Sequence, residues 1–181
     1  MAATRRFFVS LLFFFLLAGS LFLCGQQPEA SQIPTLRQMT RQAGYIFVGR
    51  VSTIDFVAPP SGEMATARVT FQVEQGLRGV RSGGSLSIRE WAGLWGGKAR
   101  YRVGERLLLF LYPQSRLGLT STVGGAQGKF AVNRDGLVVV STEQQLLLSR
   151  ERLGGGLMPG RVRLPDLRRM IRGSVAERSE R

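Results

Sequence analysis

From Tyr45 onward, apolar residues recur at every second position in short runs separated by glycine and proline, a period that demands strands rather than helices. The first such run is Tyr45–Val57, where Gly49 suits a bulge or sharp bend, and Pro59-Pro60-Ser61-Gly62 ends it. A second strand is expected over residues 67–74, with Val69, Phe71 and Val73 on one face, before a turn at 75–79. A third is expected over Ser85–Trp91, with Leu86, Ile88 and Glu90 opposite Ser85, Ser87 and Arg89. Residues 106–112 are nearly all apolar, which suits a central strand covered on both faces. Weaker strands are expected at 119–123, 129–132 and 137–140, the last two joined by the hairpin Asn133-Arg134-Asp135-Gly136.

Helical spacing frames these strands. Residues 31–44 form a short helix capped by Thr35, with Leu36, Met39 and Ala43 on one side and Gly44 at its end. A helix over 144–152, a hinge at Gly154-Gly155-Gly156 and a helix over 164–172 follow, and 173–181 is polar and frayed. The fold class expected from the strand pattern is mainly β: a small antiparallel barrel or sandwich with a short N-terminal helix and a C-terminal helical tail. The expected organisation is a signal peptide or membrane anchor at 1–24, a linker at 25–34, the barrel at 35–142 and an arginine-rich helical tail at 143–181.

The N-terminus reads as an export segment. Residues 1–6 are short and basic, 7–23 are apolar apart from Ser10, Gly19 and Ser20, and Gln26-Gln27-Pro28-Glu29 is a polar flank. Three forms stay open. The segment is a cleaved signal, an uncleaved anchor with its C-terminus outside, or a lipoprotein signal in which Cys24 of Leu21-Phe22-Leu23-Cys24 is acylated. Thr4-Arg5-Arg6-Phe7-Phe8-Val9 also resembles a twin-arginine signal, although the strong Phe/Leu run favours the general secretory route. The expected location is the periplasm, cell envelope or exterior.

Composition narrows the chemistry. The chain has no histidine and one cysteine, Cys24, which lies in the export segment. Ser-His and Cys-His nucleophile pairs, Cys zinc sites and disulfides are therefore excluded from the exported part. No catalytic, metal-binding or cofactor-binding residue is expected. The 25 basic residues exceed the 12 acidic ones, giving +13, and all but Lys98 and Lys129 are arginines. Such a balance fits an acidic partner or an anionic surface, or an arginine-favouring genome.

Four segments carry a resemblance. They are Tyr45-Ile46-Phe47-Val48-Gly49-Arg50-Val51, then Val69-Thr70-Phe71-Gln72-Val73-Glu74 leading to Gly76-Leu77-Arg78-Gly79, then Val103-Gly104-Glu105-Arg106 with the apolar run after it, and Gln127-Gly128-Lys129-Phe130. Over residues 35–135 their order and spacing resemble a group of uncharacterised exported bacterial proteins. These are similar in turn to the OB-like barrel of tissue inhibitors of metalloproteinases and netrin modules. The resemblance implies that fold and a protein partner, a secreted protease among the candidates. The inhibitors' Cys-x-Cys segment has no counterpart, because Gly25-Gln26 follows Cys24, so no inhibitory residue is carried over.

The candidate partner-binding set is Trp91, Trp95, Arg89, Arg100 and Arg102, an aromatic and basic group around a glycine-rich loop. The alternative is structural: Trp91 caps the core and Trp95 packs on the loop. Arg161, Arg163, Arg168, Arg169 and Arg172 form a second basic segment, able to lie on an anionic membrane with Leu167 and Met170 beneath, or to pack as a solvated helix face. Nucleic acid is not expected as a partner of an exported chain. The leading functional expectation is a non-catalytic envelope module that binds another protein. A membrane-associated module is the alternative, and a carboxylate-based hydrolase ranks third. The oligomeric state stays open.

Overall fold

The structure, a computed structural model, describes residues 34–58, 64–96, 100–149 and 160–179, with side chains to residue 176. The export segment, Cys24 and the glycine hinge at 154–156 lie outside the described residues. The described residues all belong to one compact unit, residues 33–181.

Helix α1 (Leu36–Gln42) is shorter than the expected 31–44 but has Thr35 as its cap, as expected, because Thr35 and Gln38 form a capping box. The Gln38 N–H donates to Thr35 Oγ1 at 3.1 Å, and the Thr35 N–H donates to Gln38 Oε1 at 2.7 Å. Ala43, already extended, ends the helix through its N–H bond to the Met39 carbonyl. Gly44 has a different task from the expected one. A Cβ there would lie 2.7 Å from Pro113 Cα, so glycine allows the chain to pass the residue that closes the central strand.

Seven strands follow: β1 (Tyr45–Val57), β2 (Thr66–Arg78), β3 (Ser85–Trp91), β4 (Arg106–Leu111), β5 (Lys129–Val132), β6 (Leu137–Val139) and β7 (Arg161–Arg163). All neighbours pair antiparallel, in the order β3-β2-β1-β4-β5-β6-β7. Three hairpin-linked strands with the fourth returning beside the first, β4-β1-β2-β3, make a Greek key. The β1–β2 register shifts at Gly49, as its lack of a side chain allows: a Cβ would meet the Gln72 carbonyl oxygen at 2.8 Å. Beyond Val51, which still exchanges backbone bonds with Gly104 and Glu105, β1 pairs with β2 alone, so the β1–β2–β3 part can curl away from the rest.

The mainly-β expectation holds, but β3 and β7 are edges and do not pair, so the sheet is open. Two features make closure unnecessary. Strands β5 to β7 extend the sheet past β4, and three helices cover one face. Leu108 and Phe110 of β4 join Ile46, Val48, Phe130, Val138 and Val162 beneath α1, α2 (Thr142–Ser149) and α3 (Leu164–Ser179). Leu107, Leu109 and Leu111 face the other way, into a second core with Phe47, Val69, Phe71, Ile88, Trp95 and Tyr101. Strand β4 is thus covered on both faces, as its unbroken apolar run requires.

Other differences from the sequence reading have local causes. Strand β2 runs through the expected turn to Arg78, because β1 offers partners as far as Ile46↔Arg78. Residues 119–123 make a single bridge, Leu111↔Thr122, in place of a strand. The chain there folds on itself, with Gly118 N–H bonded to the Ser115 carbonyl and Thr120 Oγ1 to the Tyr112 carbonyl. Strand β7 was hidden because three residues give no periodicity. Helix α3 continues past 172, with Val175 packed against the first core and the Ser174 hydroxyl bonded to the Met170 carbonyl.

Candidate functional site

The chemistry concentrates at the end of the second core, where β3 meets the connection to β4. Strand alternation that points Ile88 inward points Glu90 inward as well, and Glu90 is fully buried. Arg89 and Trp91 consequently face outward. The chain then makes a short 3-10 turn, Ala92–Trp95, that swings Trp95 into the core. After the undescribed residues 97–99 it returns with Arg100 and the buried Tyr101.

Glu90 is held on both oxygens. Tyr101 Oη donates to Oε1 at 2.8 Å, and Arg100 Nε donates to Oε2 at 3.1 Å. Burial raises the Glu90 pKa, opposed by the Tyr101 hydrogen bond and the Arg100 charge. The Trp95 N–H, buried and short of hydrogen-bond geometry, also favours the ionised carboxyl. Tyr101 is pushed far above the ordinary phenol value by burial and by the facing Glu90, so it is fixed as the donor. Edge-to-face ring contacts enclose the group: Phe71–Tyr101 at 5.6 Å, Trp95–Tyr101 at 5.8 Å and Phe56–Trp95 at 5.0 Å.

Arg100 faces two ways. Besides Glu90 it donates Nη1 to the Leu94 carbonyl at 3.3 Å and Nη2 to Thr122 Oγ1 at 3.2 Å. On its outer side lies a cavity of about 200 Å³ lined by Arg100, Thr122, Gly125, Ala126 and Lys129. Lys129 opens β5 after a glycine-rich turn in which Gly124 and Gly125 both have positive φ, 66° and 65°. Its ammonium donates to the Arg100 carbonyl, stands 3.5 Å from Glu105 Oε1 and lies 5.0 Å from the Tyr101 ring centroid. Glu105 is itself positioned by the Arg102 N–H, bonded to Oε2 at 3.1 Å.

The structure divides the five residues read together as a binding rim. Trp95 and Arg100 belong to the interior network, while Arg89 and Trp91 lie on the outer face of β3. Arg102 is an exposed turn residue. The structural alternative is reversed: Trp95 enters the core, and Trp91 stays 46% exposed with its ring over Gly93. Arg89 donates to the Leu117 carbonyl at 2.5 Å, and its own carbonyl accepts the Thr120 N–H, which ties the segment after β4 to the edge of β3. At this end of the sheet the structure also exposes Val57, Met64 and Leu94, with Val57 in the same cross-strand row as Trp91 through Val57↔Thr66 and Thr66↔Trp91, while Phe56 lies on the opposite face against Trp95. Sequence reasoning missed Tyr101 and Lys129. The inward parity of Glu90 was the one available signal, because a buried acid requires partners.

The C-terminal arginines sit differently from a membrane-lying helix. Leu164, Leu167 and Ile171 are buried in the first core, so the apolar side of α3 is occupied by protein. Arg161, Arg163, Arg169 and Arg172 remain exposed. Among the described residues no helix is long and apolar enough to cross a membrane, and no group of three His, Cys, Asp or Glu side chains could hold a metal ion. Comparison with known protein families and with curated proteins gives no match.

Proposed function

We propose that this chain is an exported, non-catalytic module of the cell envelope that binds another protein, a secreted protease being the class the inhibitor resemblance suggests. One observation carries this reading: the exposed apolar side chains Val57, Met64, Trp91 and Leu94 at one end of the sheet, with Arg89 on the same face of β3 as Trp91. Large apolar side chains grouped at one end, with an aromatic and an arginine among them, are the anchors that protein interfaces use. Glu90 supports a structural rather than a catalytic role. It is fully buried, does not line the cavity and has both oxygens engaged.

The OB-like barrel is part of the proposal. It draws support from the Greek key β4-β1-β2-β3 and from the Thr120–Arg89 bond, which links the segment after β4 to the free edge of β3. The test is crosslinking of the full-length chain in an envelope fraction, alongside Trp91→Ala and Arg89→Ala. One protein recovered with the parent chain and lost with both variants is the expected result. Recovery unchanged by both substitutions would remove this end from the interface.

A second reading, contact with an anionic membrane surface, is favoured by exposed Arg161, Arg163, Arg169 and Arg172. It requires salt-sensitive binding to anionic vesicles that neutral vesicles do not show.

A further inference from the structure

The cavity beside Arg100 has no part in the partner-binding surface, and its lining points to a ligand class of its own. We propose that it is a binding site for a single carboxylate group. The volume of about 200 Å³ is below the usual range for drug-sized ligands and suits a group the size of an acidic side chain. A guanidinium has five N–H donors. Arg100 places three of them, on Glu90, the Leu94 carbonyl and Thr122, which leaves two for a ligand in the cavity it lines. The planar fork of arginine matches a carboxylate.

Lys129 and Thr122, which carry an ammonium and a hydroxyl, also line the cavity. Gly125 and Ala126 complete the lining, in a turn where Gly124 and Gly125 both take left-handed conformations. Charge balance selects the ligand. Glu90 and Glu105 already offset Arg100 and Lys129, so one further negative charge is tolerated better than the two of a phosphate. Glu90 acts as a positioning residue here. Buried behind Arg100, it fixes the guanidinium in place without touching the cavity.

The carboxylate can come from a free small organic acid or from an Asp or Glu side chain of a protein. The site does not depend on the partner-binding reading, and either source satisfies it. The test is titration of the isotope-labelled full-length chain with acetate, with an acetylated peptide containing one internal Glu, and with phosphate and chloride at matched ionic strength. The amide signals of Gly125 and Ala126 are followed. Acetate and the peptide are expected to shift both signals saturably, and phosphate and chloride are not. Peptide binding tighter by about tenfold or more identifies a protein side chain as the source, and equal affinity identifies a free acid.

Arg100→Gln would leave Glu90 buried without its counter-charge and endanger folding, so two other variants carry the assignment. Lys129→Gln is expected to weaken acetate binding about tenfold, the scale of one charge-assisted hydrogen bond. Ala126→Glu, which adds a carboxylate to the lining, is expected to abolish the response with the remaining amide spectrum preserved. The proposal is overturned by equal shifts with phosphate or chloride, by no shift with acetate, or by unchanged acetate affinity in Lys129→Gln.

Discussion

The Tyr101 hydroxyl donates to the Glu90 carboxyl at 2.8 Å inside a site closed by Phe71 and Trp95. Glu90 lies in β3 and Tyr101 in the connection to β4, so this bond ties that connection back to the strand it leaves. Both groups are fully buried or nearly so, and neither can turn to water if the other is removed.

Tyr101→Phe therefore strips one oxygen of Glu90 of its donor. The expected loss is about 1–3 kcal/mol, the penalty for an unsatisfied buried polar group, measured by urea denaturation. The Glu90 pKa should rise further, because the lost bond lowers it now. Carboxyl carbon NMR checks the second outcome.

Stability should decline as pH rises through the range set by Glu90. Its folded pKa lies above the ordinary value of 4.5, so the folded chain holds this proton more tightly than the unfolded chain. The contribution is fully present below 4.5 and is lost as pH passes the folded value. In Glu90→Gln this part of the stability–pH curve should be flat. An unchanged slope would assign the pH dependence to other groups.

Gly76→Ala should destabilise the β2 end severely. The new Cβ would lie 2.0 Å from the Val80 carbonyl oxygen, a backbone atom that cannot rotate away. A cost of about 3 kcal/mol or more is expected from such overpacking. Gly83→Ala, with open space around it but φ at 79°, should cost only the backbone strain of about 1–2 kcal/mol. Thermal unfolding of the two variants separates crowding from strain.

Thr35→Ala removes the capping hydroxyl of α1 and should cost about 1 kcal/mol. Thr35→Asn should restore most of it, because an asparagine side chain also accepts from the helix amides. Chemical denaturation of both variants checks the pair.

Helix α3 makes opposite predictions on its two sides. Leu167→Ala should cost about 2–5 kcal/mol, since Leu167 has no exposed surface. Arg169→Ala should stay within about 0.5 kcal/mol, because its side chain is 80% exposed and only loosely paired with Asp166 at 3.5 Å. Similar small effects at both positions would mean that α3 adds little to the core.

Much of the local structure was legible. Tyr45–Val57 and Ser85–Trp91 show alternation, and each forms a strand over those residues. Thr35 marks the cap of α1, and the apolar run at 106–112 marks the strand covered on both sides. These signals are local: a side chain's face follows from its parity along a strand, and a cap from a residue three positions away. Strand β7 escaped because Arg161-Val162-Arg163 is stabilised by its pairing with β6 rather than by any pattern of its own.

The candidate site was legible in its parts and not in its arrangement. Arg89, Trp91, Trp95, Arg100 and Arg102 lie close in sequence, yet strand parity and one 3-10 turn send two of them outward and two into the interior. Lys129 and Thr122 come from segments more than twenty residues away and meet Arg100 only because β4 places β5 and the Thr122 bridge beside it. Residue order by itself determined most of the strands, the Thr35 cap and the absence of histidine chemistry, because these depend on identity and near neighbours. The open sheet, the two cores, the partners of Glu90 and the Arg100 cavity were decided by tertiary structure alone. Each depends on which distant strand faces which, and that is settled by the joint burial of apolar surface across the whole chain.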